Sequence, residues 1–140
     1  MHAEILKPVV VLIAWTLVML LWMLVTRLPA MGAAGVDLNK LVGSKPADAE
    51  RLPPNVQWKA HNYNHLHEQP TLFYAVALVL ALISQGDGLN AALAWGYVGF
   101  RILHSLVQAT VNRVSIRFAL FVLASSCLIA LTVHAAIAVF

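Results

Sequence analysis

The chain has 140 residues, of which 61% are hydrophobic and only 11% are charged, and its mean hydropathy is +0.79. Soluble domains average about 45–50% apolar and about 25% charged residues, and a soluble chain this short could not bury so much apolar surface. The formal net charge is +3, but the basic residues flank the apolar runs, which is typical of membrane topology and argues against a nucleic-acid partner. The single cysteine, Cys127, excludes a disulfide within the chain.

Four segments along the chain are each long enough to cross the ~30 Å hydrocarbon core of a bilayer. They predict an all-α fold, a polytopic four-transmembrane-helix bundle that forms a single membrane domain over residues 1–140. The predicted spans are approximately residues 5–28, 57–84, 89–111 and 115–139, and the long loop is residues 29–56.

Prolines and glycines set the expected interruptions. The first span is predicted to end at Pro29, and the loop after it favours turns, with a short interfacial helix around Ala47–Arg51. Pro70 lies inside the second span and is predicted to bend it, because proline removes one backbone hydrogen bond. Gly86-Asp87-Gly88 predicts a tight turn before the third span.

Basic residues are unequally divided between the two sides of the predicted bundle. The side that bears the first and third loops carries Arg27, Lys40, Lys45, Arg51, Lys59, Arg113 and Arg117. The other side carries Lys7 alone. The positive-inside rule therefore predicts that loops one and three face the cytoplasm and that both termini lie outside.

The third span carries a polar stripe. Tyr97, Arg101, His104 and Gln108 recur at spacings that place them on one helix face. Arg101 would lie about 16 Å from the cytoplasmic end of its helix. An unpaired arginine at such depth costs at least about 2.5–3.5 kcal/mol on insertion scales, so a polar partner is expected.

The second span supplies that partner. His61, His65 and Glu68 share a face, and Asn64 stands one turn before Glu68. Glu68 lies at a depth similar to that of Arg101, so we expect an ion pair between them or membership of one network. His61 and His65 have the spacing of helical zinc ligands, but no third ligand is compelled, and we predict no metal site.

Further basic residues surround the expected cleft. Arg117 stands one turn inside the fourth span, and with Arg101 and Lys59 it would form an anion-binding funnel. Arg113 lies in the preceding turn at the mouth of the cleft, where contact with solvent or lipid phosphate is the leading interpretation. An anionic thiol or carboxylate cofactor entering from the cytoplasm would suit this arrangement.

Three stretches together resemble one family. They are residues 62–74 (NYNHLHEQPTLFY), residues 101–104 (RILH) and residues 112–118 (NRVSIRF). The combination is similar to the MAPEG family, the membrane-associated proteins in eicosanoid and glutathione metabolism, and in particular to its bacterial branch. The resemblance implies a homotrimer whose active sites lie between subunits and open to the cytoplasm, where glutathione is bound as co-substrate.

The resemblance also implies roles for individual residues. Asn64 and Glu68 would bind glutathione, and Arg101 would hold its carboxylate or pair with Glu68. Arg117 would stabilise the glutathione thiolate as the catalytic residue. The remaining members of the predicted glutathione-binding set are Lys59, His61, His65, Tyr97, His104 and Arg113.

The polar stripe and the family resemblance leave three functions open. The leading hypothesis is a glutathione-dependent transferase or peroxidase of the bacterial inner membrane, surrounded by lipid and acting on lipophilic electrophiles. The alternative is a MAPEG-like scaffold that binds a lipid or another anion without turnover. A small transporter or proton relay using Glu68, Arg101 and His104 is less favoured, because the two halves of the chain show no convincing repeat.

Overall fold

The structure is a computed structural model that describes residues 3–43 and 45–140. These residues form helices and connecting turns without any strand, which confirms the predicted all-α class. The helices are α1 (Leu6–Ala33), α2 (Pro46–Glu50), α3 (Pro54–His65), α4 (Gln69–Leu82), α5 (Leu89–Thr110) and α6 (Val114–Val139).

Helix α5 is the centre of the molecule. It packs against α1, α3 and α6, while α4 packs against α1 and α6. Its contact with α6 is close at Gly96, where an added Cβ would lie 3.4 Å from the Cys127 sulfur. Two helices, α1 and α6, are long and apolar enough to cross a membrane. The four-span bundle and its membrane boundaries stay predictions.

Helix α1 does not end at Pro29 as predicted but continues to Ala33. The end is set by Gly35, whose φ of 71° few other residues adopt without strain. The backbone N–H groups of Val36 and Gly35 donate to the carbonyls of Met31 and Gly32, at 3.0 and 3.1 Å. This Schellman motif closes the helix. A proline removes a single hydrogen bond, and here that loss does not stop the helix.

The second predicted span is two helices rather than one bent helix. Helix α3 ends at His65 and α4 begins at Gln69, with Pro70 in the first turn of α4. Proline is tolerated there because first-turn N–H groups have no partner within the helix. The interruption leaves the last carbonyls of α3 free for other donors, which positions the site described below.

The short helix expected in the long loop is present as α2, with the Lys45 N–H donating to the Asp48 carboxylate at 2.9 Å. At the other end of the molecule, the N-terminal segment docks on the α4–α5 turn. The Ile5 N–H donates to the Gly86 carbonyl at 2.9 Å. A Cβ at Gly86 would lie 2.8 Å from side-chain carbons of Ala3 and Ile5, so this approach requires glycine.

Candidate functional site

A cleft of about 350 Å³ opens where α3, the α3–α4 break, and the facing ends of α5 and α6 meet. We call it the polar cleft. Its lining residues are Trp58, His61, Asn64, His65, Glu68, Gln108, Asn112 and Arg117. Five of these, His61, Asn64, His65, Glu68 and Arg117, are residues predicted from the sequence to bind or activate glutathione.

Arg101 lies directly behind this cleft and has no exposed surface. Its Nη2 donates to the His65 backbone carbonyl at 3.1 Å and to the His65 ring Nδ1 at 3.3 Å. The carbonyl is available because α3 ends at His65. The Nε and Nη1 atoms of Arg101 are buried without a hydrogen-bond partner among the described residues. A buried guanidinium therefore supports the cleft from beneath and retains unused donors.

The contact with Arg101 fixes the protonation of His65. A guanidinium only donates hydrogen bonds, so His65 Nδ1 must be the acceptor and carries no proton. The imidazole is then neutral with its proton on Nε2, which lies 3.8 Å from a carboxylate oxygen of Glu68. His65 consequently presents an N–H donor to the polar cleft.

Arg117 is positioned by the turn between α5 and α6. Asn112 adopts a φ of 52°, and its N–H donates to the Val107 carbonyl at 2.6 Å. Its side-chain Oδ1 accepts from Arg117 Nη1, also at 2.6 Å. The Arg117 Nε is buried without a partner among the described residues. One face of this guanidinium is therefore anchored, while another donor is available.

A second cleft of about 220 Å³ adjoins the first. We call it the apolar cleft, and it is lined by His65, His104, Val114, Arg117, Phe118 and Phe121. The His65 and His104 rings have centroids 5.3 Å apart, and the His65 and Phe121 rings are nearly perpendicular, with centroids 6.4 Å apart. His65 and Arg117 line both clefts. A polar ligand and an apolar ligand would thus meet at these two side chains.

The expected ion pair between Glu68 and Arg101 is not formed. The carboxylate of Glu68 lies close to His65 instead, and its side chain is 66% exposed. The turn at residues 66–68 directs Glu68 outward, whereas a continuous helix would have kept it on the His61 and His65 face. Glu68 and Arg101 each approach His65 instead, so the two charged groups are connected through that ring. This corresponds to the second expectation, membership of one network.

Four other predicted residues lie away from the polar cleft. Lys59 is buried, donates to the Asn55 carbonyl at 2.9 Å and lies 5.1 Å from the Trp22 ring centroid. Tyr97 stacks on Phe73 with centroids 4.4 Å apart, deeper in the bundle. Arg113 is exposed as the N-cap of α6. His104 lines only the apolar cleft.

Sequence reasoning missed a polar junction beneath the site. The Ser105 hydroxyl accepts hydrogen bonds from Asn62 Nδ2 at 2.7 Å and from Trp15 Nε1 at 3.0 Å, joining α1, α3 and α5. Ser105 lies one turn after Arg101 on the buried face of α5, a spacing that could have revealed it. This junction holds α3 against α5 and so sets the width of the polar cleft.

Within residues 3–43 and 45–140, no three histidine, cysteine or acidic side chains converge in a way that could hold a metal ion. The hydrogen-bond donors that line the polar cleft instead include guanidinium and imidazole N–H groups and the side-chain amide of Asn64. Such a set is suited to an organic anion that carries carboxylate or thiolate groups.

Of the comparisons with known proteins, the one with family models gives a match. Residues 5–137, nearly the whole chain, match the model of the MAPEG family. Neither the curated proteins nor the solved structures yield a match. The all-helical architecture, the two strongly apolar helices and the near-complete family match lead to one conclusion: the chain belongs to the MAPEG family of membrane proteins.

Proposed function

We propose that this protein is a glutathione-dependent transferase or peroxidase that acts on lipophilic electrophiles in a membrane. The observation that carries the proposal is the sharing of His65 and Arg117 by the polar and apolar clefts. A hydrophilic thiol in one cleft and an apolar electrophile in the other would meet at these two donors. Family membership supports the assignment, because MAPEG members include enzymes of this kind.

The polar cleft fits a tripeptide thiol with two carboxylates and one ammonium group. His61 and Asn64 offer donors for carboxylates, and the exposed carboxylate of Glu68 offers an acceptor for the ammonium group. Gln108 Oε1 is buried at the cleft without a partner among the described residues, and it can accept a backbone N–H of the ligand. Unused donors and acceptors thus match the groups of glutathione.

Arg117 acts on the sulfur. A free thiol with a pKa of about 8.5 is only partly ionised at neutral pH, and a guanidinium at the boundary of an apolar cleft favours the thiolate. The thiolate then attacks an electrophilic carbon, forming a C–S bond while the leaving group departs with the electron pair. The Nε2–H of His65 is placed to donate to the thiolate or to the departing anion. Arg101 is a positioning residue, because it acts through His65.

The assembly and the topology belong to the same proposal. Large apolar side chains remain exposed along α1 and α6, including Val10, Leu21, Val25, Ile129 and Ile137. Lipid or a second copy would cover them. We propose a homotrimer in the bacterial inner membrane with four spans per chain, both termini outside and loops one and three in the cytoplasm. The polar cleft then opens toward the cytoplasmic glutathione pool.

Calorimetric titration of glutathione into the detergent-solubilised protein, followed by an assay of conjugation to an aryl halide, tests the proposal. We expect saturable binding and turnover in the wild type. Arg101→Met removes the donor that holds the His65 ring, so the Nε2–H should leave its position in the polar cleft and binding should weaken by about tenfold or less, the value of one hydrogen bond. Binding without turnover would favour the anion-binding scaffold, and absence of binding at millimolar glutathione would overturn the enzyme proposal.

A further inference from the structure

A third cleft, of about 470 Å³, lies at the other end of α5, between the α4–α5 turn and the last turns of α6. We call it the turn cleft. Its lining residues are Gln85, Asp87, Leu89, Asn90, His134, Ile137 and Ala138. Asn90 in this cleft and Gln108 in the polar cleft are separated by about 27 Å along the helix axis, so the two clefts are distinct.

The hydrogen bonds of Asn90 determine the chemistry of this cleft. Its Nδ2 donates to the Gln85 backbone carbonyl at 2.8 Å, which fixes the orientation of the amide. Its Oδ1 lies 2.6 Å from Nδ1 of His134. An amide oxygen only accepts, so His134 Nδ1 must carry the proton and donate it. In its neutral form the ring presents an unprotonated Nε2, which makes no hydrogen bond within the described chain.

Negative charge reinforces this acceptor. One carboxylate oxygen of Asp87 accepts the Glu4 N–H at 2.9 Å, and its second oxygen is not used by any described residue. The neighbouring Lys7 is committed to Glu4 in an ion pair of 2.7 Å. Among residues 3–43 and 45–140, no arginine or lysine lines the turn cleft. Its polar groups are therefore suited to a ligand that donates hydrogen bonds and carries positive charge.

The rim of the cleft is apolar and open. Leu89 is 65% exposed and Ile137 is 75% exposed, and both border the acceptors. In a membrane protein, such residues at a helix end lie beside the acyl chains just below the headgroups. A lipid could then place its headgroup on His134 and Asp87 while its chains contact Leu89 and Ile137.

We propose that the turn cleft binds the primary ammonium headgroup of a phosphatidylethanolamine-type lipid. An ammonium group supplies N–H donors to His134 Nε2 and to the free oxygen of Asp87. A quaternary choline headgroup has no N–H to donate and is typically recognised by aromatic cages, whereas the imidazole of His134 is the one aromatic ring that the described residues contribute to this cleft. The proposal does not depend on glutathione chemistry.

Native mass spectrometry of the solubilised protein, with equimolar phosphatidylethanolamine and phosphatidylcholine of identical acyl chains, tests this inference. We expect ethanolamine lipid to be retained about tenfold over choline lipid, as charge-assisted hydrogen bonds to one headgroup would give. Stepwise N-methylation of the headgroup should erode the preference as donors are lost. Equal retention of the two lipids, or a preference for choline, would overturn the proposal.

Two variants of His134 separate loss of the Nε2 acceptor from loss of the folded structure. His134→Asn can keep a donor toward Asn90 but lacks the Nε2 acceptor, and it should abolish the preference. His134→Gln places an amide oxygen near the Nε2 position and should retain it. The matched control is His67→Asn, since His67 is exposed and bonded to the Tyr63 carbonyl. A preference that persists in His134→Asn contradicts the assignment.

Asp87→Asn supplies a second test should the histidine variants fold poorly. It preserves the oxygen that accepts the Glu4 N–H and removes only the charge, so the headgroup preference should fall while the melting temperature changes little. In the last arm of the experiment, soluble phosphoethanolamine is added as a competitor of the lipid. If it displaced the lipid at comparable concentration, the site would belong to a free amine and the lipid assignment would be wrong.

Discussion

The two ends of the bundle contain histidines of opposite hydrogen-bonding polarity. At the polar cleft, His65 Nδ1 accepts from Arg101, so the ring presents an N–H. At the turn cleft, His134 Nδ1 donates to Asn90, so Nε2 of the neutral ring presents a lone pair. The charged neighbours also differ: Arg117 and Glu68 line the polar cleft, whereas Asp87 lines the turn cleft. The same side chain thus presents a donor at one end of the bundle and, in its neutral form, an acceptor at the other.

The partner that fixes each ring comes from a different kind of local structure. His65 is held by a buried arginine that also binds the carbonyl freed by the break before Pro70. His134 lies within the unbroken helix α6, and an asparagine oriented by the Gln85 carbonyl holds it. Residue type alone therefore does not decide what a histidine offers to a ligand. The second hydrogen bond of the ring decides it.

The largest effect is expected at Arg117. Arg117→Ala should lower conjugation by about 100- to 1,000-fold, the usual loss when one donor to a developing anion is removed. Glutathione affinity should change far less, because other donors hold the ligand. Arg113→Ala is the matched control, since Arg113 is exposed and lines neither cleft. Similar losses in the two variants would show that general positive charge, rather than the position of Arg117, drives turnover.

Gly86→Ala should disturb the turn cleft alone. A Cβ there would meet Ala3 and Ile5 at 2.8 Å, and overpacking of this kind costs about 1–3 kcal/mol. We expect a lower melting temperature and a weaker headgroup preference, with conjugation unchanged at permissive temperature. Gly32→Ala, where the added carbon meets nothing within 4 Å, should not destabilise the protein. If folded Gly86→Ala lost conjugation activity, the turn cleft and the polar cleft would not be independent of each other.

Two substitutions at His65 should separate its roles. His65→Asn can accept from Arg101 but loses the N–H at the Nε2 position, so turnover should fall about tenfold while stability is kept. His65→Gln should keep turnover and lower the stability of the fold. It loses the acceptor for Arg101, which costs about 1 kcal/mol or about 4 °C in melting temperature. Thermal unfolding and conjugation assays on both variants check this, and parallel losses in both would refute the division of roles.

The smallest effect is expected for Glu68→Gln. The side chain is 66% exposed and lies 3.8 Å from His65 Nε2, so solvent screens its charge and the loss of affinity for glutathione should be about threefold or less. Titration calorimetry checks this value. A much larger loss would mean that Glu68 turns inward in the assembled protein, as the predicted pairing with Arg101 would require.

The sequence predicted the long helices α1, α5 and α6 and five of the eight residues that line the polar cleft. The periodic spacing of Tyr97, Arg101 and His104 places all three on the buried face of α5, as observed. The break before Pro70 was not predictable in position, since a proline can either bend a helix or start one. That break turned Glu68 outward and made His65, rather than Glu68, the partner of Arg101.

The turn cleft was less accessible to sequence reasoning. His134 is isolated in an apolar run, and nothing in the sequence connects it with Asn90, from which it is 44 residues distant. Its partner follows from the packing of α5 on α6, which no local pattern encodes. Similarly, Lys59 was expected in the polar cleft from its charge, whereas rotation of α3 places it over Trp22.

The most direct test is the ¹⁵N spectrum of the histidine side chains in the solubilised protein at neutral pH, with each ring assigned by its single variant. Two-bond and three-bond couplings identify which ring nitrogen carries the proton. We expect a neutral ring protonated on Nε2 for His65 and a neutral ring protonated on Nδ1 for His134. The same tautomer at both positions, or an imidazolium at either, would contradict the opposite polarity of the two histidines.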